Sequence, residues 1–98
     1  MTYRIAALYH FARVESPEAW RSPILELCKS QGIKGTLLLA REGINGTVAG
    51  SADAIATLLD FLRSLPGLAA LEHKDSWAEH EPFLRMKVKL KKEIVTMG

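Results

Sequence analysis

The first third of the chain passes from a strand-like to a helical pattern of apolar residues. Residues 3–13 are rich in apolar side chains and contain few breakers, which predicts a strand. Residues 16–18, Ser-Pro-Glu, suit the cap and the first turn of a helix. One helical face then carries Trp20, Ile24, Leu27 and Cys28. We therefore expect a helix that stops at Gly32 and is either kinked or restarted at Pro23.

The middle of the chain predicts a hairpin followed by a second helix. Residues 34–41 form a mostly apolar run that indicates a buried strand. Asn45-Gly46 is a strong tight-turn signature, so residues 46–50 are predicted as the returning strand. Ser51 is expected to cap a helix that ends at residues 66–67, Pro-Gly. The core-facing stripe of that helix has the spacing i, i+3, i+4, i+7, namely Ile55, Leu58, Leu59 and Leu62.

The last third contains two further strand candidates, around residues 70–76 and at residues 84–91. In the second, Met86, Val88 and Leu90 alternate with cations, which are Arg85, Lys87, Lys89 and Lys91. The element order is thus β-α-β-β-α-β plus an extra strand. It predicts one α+β domain over residues 1–98 with a ferredoxin-like plan. In that plan an antiparallel sheet carries both helices on one face and can leave the other face open.

Composition narrows the class of protein without naming a function. The 98 residues suit one domain, and the apolar fraction of 48% is sufficient for a packed core. A net charge of +2 says little about partners. The single cysteine, Cys28, excludes an intrachain disulfide, and its place on the apolar helix face indicates a core residue. No membrane-length apolar run or signal peptide is visible, so we expect a cytoplasmic protein.

The alternating basic strand is the first candidate for chemistry. Its cations would project from one sheet face at intervals of roughly 6.6–7 Å, a spacing that suits a row of phosphates. Lys92 adds a further cation to this cluster. The alternative is a solvated edge strand that lysines protect from aggregation. The stretch has no interleaved aromatic residues, so base stacking is not indicated.

Two further clusters could be binding sites, but each also has a purely structural explanation. Residues 41–47 are predicted as a loop whose glycines could present backbone N–H groups to an anion, or could simply supply turn geometry. Within it, Glu42 and Asn45 could hydrogen-bond a base edge. Residues 72–81 contain two histidines and several carboxylates but no tight ligand motif, so we expect a polar loop and no metal or cofactor in this domain.

Two families that share the ferredoxin-like plan lack their functional residues here. The RNA-recognition motif stacks bases on an aromatic-rich internal strand, whereas residues 46–50 contain no aromatic. Acylphosphatases use a glycine-containing phosphate loop after the first strand and an asparagine on the second. Here residues 12–17 contain no glycine, and the second strand ends Leu-Ala-Arg. The sequence predicts no acylphosphatase catalytic set.

Three long segments, residues 34–51, 71–77 and 85–98, resemble the rhodanese-containing tRNA uridine hydroxylases. The resemblance implies an oxygen-dependent enzyme that makes 5-hydroxyuridine at the wobble position of tRNA. Its acylphosphatase-like N-terminal domain precedes a rhodanese domain with the catalytic cysteine. We interpret this chain as that N-terminal domain alone and expect it to be inactive by itself. The motif residues it shares are Glu42, Gly43, Asn45, Gly46, His73, Trp77, Arg85 and Lys87.

The resemblance and the charge pattern together give two main expectations. In the first, the domain helps to hold tRNA, and its phosphate contacts come from Arg41, Arg85, Lys87, Lys89, Lys91 and Lys92. In the second, the open sheet face docks on the rhodanese domain and shapes its active site without touching RNA. Residual acylphosphatase activity that depends on Arg13 is a third, weaker hypothesis.

Overall fold

A computed structural model describes residues 2–91 of the chain, and the elements follow the predicted order. They are β1 (Tyr3–Phe11), α1 (Pro17–Ser30), β2 (Lys34–Ala40), β3 (Gly43–Gly50), α2 (Ala52–Arg63), β4 (Glu72–Ala78) and β5 (Met86–Leu90). The predicted strand around residues 70–76 begins and ends two residues later than expected. Neither helix in this part of the chain is long and apolar enough to cross a membrane.

The strands form one five-stranded sheet in the order β4-β1-β3-β2-β5. The first four strands pair antiparallel, as the ferredoxin-like plan requires. The extra strand β5 is added beside β2 and runs parallel to it, so the sheet is mixed rather than antiparallel throughout. The parallel pairing follows from the connection through residues 79–85, which returns the chain from the β4 edge to the end of the sheet where β2 begins.

Both helices pack on one face of the sheet and enclose the core. Helix α1 lies against β2 and β5, and α2 lies against β1 and β3. The predicted stripe of α2 is confirmed, since Ile55, Leu58, Leu59 and Leu62 are all buried. Cys28 is likewise in the core, where burial raises the pKa of its thiol to about 12. At neutral pH this thiol is protonated and unreactive.

The two helices differ in how their ends are capped. Ser51 caps α2, and its Oγ accepts a hydrogen bond of 3.1 Å from the Ala54 N–H. Ser16 precedes α1 without a side-chain cap, so the start of α1 depends on Pro17 in the first turn. Helix α1 passes through Pro23 without a break in its assignment. Gly32 follows the helix with a φ of +71°, as expected of a stop.

The prediction of a turn at Asn45-Gly46 is wrong. The hairpin turns at Arg41 and Glu42, and Asn45 and Gly46 lie inside β3. Gly46 serves close packing of strands instead, because a Cβ on it would lie 2.1 Å from the carbonyl oxygen of Thr36 in β2. Its φ of +150° is also one that residues with a side chain rarely adopt. Glycine is required at this position because the backbones of β2 and β3 approach closely, and not because the chain turns there.

Candidate nucleic-acid interface

The alternation predicted for β5 is present in the structure. Lys87 pairs with Thr36 and Lys89 with Leu38, so both lysines project from the sheet face opposite the helices. Val88 points the other way and is buried in the core. The apolar half of the alternation fixes the face on which the lysines lie, since a slip of one residue would expose Val88 and bury a lysine.

The basic residues form a continuous edge because hydrogen bonding to β2 extends beyond both ends of β5. The Gly35 N–H donates to the Arg85 carbonyl at 2.9 Å, and the Lys91 N–H donates to the Leu39 carbonyl at 2.8 Å. Arg41 directly follows β2, so it lies at the same end of the sheet as Lys91. All five described cations are exposed, and Lys92 lies outside the described residues. We call Arg41, Arg85, Lys87, Lys89 and Lys91 the basic edge.

The outer side of β5 is partly covered by α1. The Arg21 guanidinium donates from Nε to the Val88 carbonyl at 2.8 Å, which satisfies one of the groups that an edge strand leaves unpaired. The structure therefore contains a second feature, besides the lysines, that protects this edge. The lysines face the open side of the sheet, where no helix packs.

The predicted 41–47 loop is mostly strand, so its glycines do not form an anion-binding nest. Gly43 and Gly46 lie in β3, which is paired with β1 on one side and β2 on the other. Glu42 is exposed in the turn, and the Asn45 side chain lies half-buried on the open face. The carbonyls of the turn, at Arg41 and Glu42, instead accept hydrogen bonds from the loop that follows β1.

That loop gives no support for acylphosphatase chemistry. The Ala12 N–H donates to the Glu42 carbonyl at 3.0 Å, and the Val14 N–H donates to the Arg41 carbonyl at 2.8 Å. Two backbone N–H groups of this loop are thus already used by the neighbouring turn. Arg13 is exposed, lies 3.5 Å from the Glu15 carboxylate and lines the same open cleft as Arg41.

The expectation of a polar loop over residues 72–81 is wrong for residues 72–78, which form β4 because they pair with β1. Within this strand, His73 and Asp75 are held by two arginines. Arg63 donates from Nη2 to His73 Nδ1 at 3.2 Å, and His73 Nε2 lies 3.2 Å from an Asp75 oxygen. A guanidinium only donates, so Arg63 requires His73 Nδ1 to accept, while His73 Nε2 lies near both Asp75 and, at 3.5 Å, Arg4 Nη2. Arg4 completes the chain with hydrogen bonds of 2.9 and 3.1 Å to Asp75. Within residues 2–91 no group of three potential ligands is arranged for a metal ion.

The neighbouring positive groups lower the pKa of Asp75. The hydrogen bond from Arg4 and the charges of His73 and Arg4 hold the pKa of its carboxyl below the ordinary value. The chain of contacts from Arg63 through His73 and Asp75 to Arg4 joins α2 to β4 and β1. Its position on the helix side of β4 indicates a structural clamp, on the opposite face from the lysines.

Sequence reasoning missed two exposed aromatic residues on β1. Tyr9 is 46% exposed and Phe11 is 48% exposed, and their rings meet edge to face with centroids 4.9 Å apart. They share the open face with Ala7, while Ala6 and Leu8 point into the core. The signal was available in the alternation of residues 6–11, but we treated that segment as a strand without assigning its two faces.

The fold and the surface define an acylphosphatase-like α+β domain with an open, basic-edged sheet. Residues 3–94 match the family described as the UPF0176 acylphosphatase like domain, and the chain belongs to that family. It is 60% identical over 96 residues to a tRNA uridine(34) hydroxylase of Agrobacterium fabrum, covering 98% of this chain and 31% of the relative. The corresponding protein of Caulobacter vibrioides is 61% identical over 97 residues, with 99% and 31% covered.

These relatives are about three times as long as the chain, which matches their N-terminal part. Among solved structures, an acylphosphatase from Coxiella burnetii superposes with a TM-score of 0.57 at 18% identity, covering 90% of this chain and 92% of that one. This likeness confirms the predicted fold. It carries no evidence about activity at so low an identity.

Proposed function

We propose that this domain holds tRNA for a catalytic domain on a longer polypeptide that hydroxylates uridine 34. Relatives named for that reaction are about 60% identical in sequence to the chain, and the chain covers about a third of their length. Catalysis, with molecular oxygen as co-substrate, would take place in the rhodanese domain implied by the resemblance. A cytoplasmic location goes with this role, since the substrate is tRNA.

The observation that carries the proposal is the basic edge on the open face. Its cations follow one strand and continue onto the turn after β2, and the helices leave that side of the sheet uncovered. Within residues 2–91 no carboxylate forms an ion pair with Lys87, Lys89 or Lys91. Lysines that are exposed, in register and without an acidic partner are suited to phosphate oxygens. Contacts of this kind position an RNA without reading its sequence.

The test replaces Lys87→Gln and Lys89→Gln together and measures tRNA affinity as a function of salt. Each lost phosphate contact should weaken binding roughly five- to eightfold at 0.1 M salt, because fewer counterions are released. The slope of log affinity against log salt should flatten by about 1 for each lysine that contacts a phosphate. The loss should be similar for unrelated tRNA sequences.

A matched control lowers the net charge by the same two units on the other side of the domain. Ala19→Glu with Ser22→Glu places two acidic residues at exposed positions of α1, away from the open face. This control should leave the salt slope unchanged. If both double variants weaken binding equally, total charge and not the basic edge governs the interaction, and the proposal is wrong.

A second candidate role is docking on the rest of the longer polypeptide, and one residue favours it. Leu84, in the connection between β4 and β5, is 91% exposed although it is a large aliphatic side chain. Phe83, beside it, is only partly buried. The relatives are long enough for another domain to cover this connection. Leu84 adjoins Arg85 at one end of the basic edge, so docking there would leave the opposite end, at Arg41 and Lys91, open to RNA.

A further inference from the structure

The open face of the sheet has an uncharged centre between charged residues at its two edges, which are cations except for Glu72. One row across the sheet reads Lys74, Ala7, Thr47, Thr36 and Lys87, and the next reads Glu72, Tyr9, Asn45, Leu38 and Lys89. Four strand spacings of about 4.8 Å place Lys74 and Lys87 about 19 Å apart. The surface between them is an aromatic, amide and hydroxyl platform.

A cleft of about 400 Å³ lies on this platform beside Tyr9. Its side-chain walls come from Tyr9, Asn45, Thr47, Glu72 and Lys74, and Ala7 forms the floor. The small side chain of Ala7 between larger neighbours creates the concavity. The volume falls within the range of sites that bind small molecules, about 300–1,000 Å³.

Three of the side chains that line the cleft suit parts of a nucleotide. Tyr9 is nearly half exposed, and its ring is nearly perpendicular to that of Phe11, so the exposed part of the Tyr9 ring is open to stacking. The Asn45 amide offers one donor and one acceptor group, and no side-chain hydrogen bond engages it within residues 2–91. Lys74 can meet a phosphate at one side of the cleft.

Charge distribution favours an RNA strand over an apolar partner as the occupant. Lys34, at the other end of the open face, makes an ion pair with Glu81 and is thereby neutralised. In contrast, Lys74, Lys87 and Lys89 form no ion pair in the described part of the chain. Three strand spacings, or about 14 Å, separate the Tyr9 and Lys89 positions, a distance that a few nucleotides span. Aromatic side chains on a flat surface bind unpaired bases, since the ring faces of bases inside a duplex are covered by the neighbouring base pairs.

We infer that the open sheet face contains a binding site for an unpaired nucleobase, with Tyr9 as the stacking surface and Asn45 facing the base edge. The inference rests on the proposed function, because the same strand of RNA would continue over the basic edge. It adds to phosphate contacts a contact with bases, for which the basic strand itself has no aromatic residue. The aromatic residues are supplied by β1 rather than by the basic strand.

The test measures binding of this chain to two probes of equal charge, a six-nucleotide oligouridylate and an abasic oligomer of the same length. We expect the oligouridylate to bind roughly five- to a hundredfold more tightly, the range typical of stacking on an aromatic side chain. Tyr9→Ala should remove that advantage without changing the salt slope, and Tyr9→Phe should retain it. Trp77→Ala is the matched control, since Trp77 is exposed but projects from the opposite face of the sheet.

If the Tyr9→Ala variant does not fold, the base site can still be tested on the unaltered chain. In an NMR titration, the Ala7 methyl and the Asn45 side-chain amide should shift with the oligouridylate and not with the abasic oligomer. Equal affinity for the two probes, with the salt slope still flattened in Lys87→Gln/Lys89→Gln, would overturn the base site and leave the phosphate role intact. That result would favour another protein segment as the occupant of the face. Absence of binding to either probe would overturn both proposals.

Discussion

Asp75 and Arg4 show how one ion pair joins distant parts of this chain. The residues are far apart in sequence, yet two hydrogen bonds connect them across neighbouring strands β1 and β4. The Arg4 guanidinium also lies within 3.4 Å of the Ala52 carbonyl at the start of α2. A pair with two hydrogen bonds and limited exposure contributes more than an isolated surface pair.

Replacement of Asp75→Asn should therefore lower the free energy of unfolding by about 1 kcal/mol near neutral pH. Because the folded-state pKa of Asp75 is depressed, its contribution is present above the unfolded value of 3.8. It is lost as the pH falls through the lower folded value. Denaturant titrations should show the difference between wild type and variant shrinking below that pH.

Asp60→Asn is the control for the Asp75 prediction, because Asp60 is exposed on α2 and belongs to no ion pair among residues 2–91. It should change stability by less than about 0.5 kcal/mol at any pH. A difference for Asp75→Asn that is the same in acid and at neutral pH would show that the carboxylate charge is not responsible.

At the scale of elements, strand β3 depends on glycine for its place between β1 and β2. A Cβ at Gly43 would lie 2.0 Å from the His10 carbonyl oxygen, and one at Gly46 would lie 2.1 Å from that of Thr36. These contacts are with backbone atoms of β1 and β2, which cannot rotate away. The sequence motif that looks like a loop is thus a strand adapted to close pairing on both sides.

Gly46→Ala should destabilise the domain by about 3–5 kcal/mol, since it combines a backbone clash with an unfavourable φ. Gly32→Ala is a matched comparison, because Gly32 also has positive φ but has open space where a Cβ would stand. That variant should cost only about 1–2 kcal/mol. Chemical denaturation of both proteins measures the gap between them. Equal costs would mean that β2 and β3 separate easily and that the close approach is unimportant.

The sheet divides the domain into a helix-covered side and an open side. The helix side contains the core and the Arg4–Asp75 clamp, whereas the open side contains the lysines, Tyr9 and Asn45. Substitutions on the open side can therefore alter binding with little effect on the core. The connection between β4 and β5 lies at one end of the sheet and displays Leu84 to solvent.

Leu84→Ser should have little effect on this chain alone, because an exposed leucine loses no packing when it is replaced. Its melting temperature should stay within about 1 °C of the wild type. In a polypeptide of the relatives' length, the same change should weaken association between this domain and the rest, detected as faster proteolysis between them. Unchanged proteolysis in the longer protein would exclude docking through Leu84.

The sequence predicted the features that depend on residues close together in the chain better than those that depend on distant ones. The helical stripe at Ile55, Leu58, Leu59 and Leu62, the Ser51 cap and the alternation of β5 were predicted correctly, because each follows from neighbours within a few residues. The turn at Asn45-Gly46 was misplaced, since the local signature of a turn is the same as that of a glycine under close contact. Family membership was predicted from long motifs and confirmed.

The sequence by itself determined the order of elements, the composition of each helical face and the presence of a basic strand. Those properties depend on side-chain periodicity, which a chain carries before it folds. Only the tertiary structure decided that β5 lies parallel to β2, that the Arg63–His73–Asp75–Arg4 contacts form, and that Tyr9 shares a surface with Lys87 and Lys89. Strand order and register determine these relations, and they arise from pairings between residues far apart in the chain.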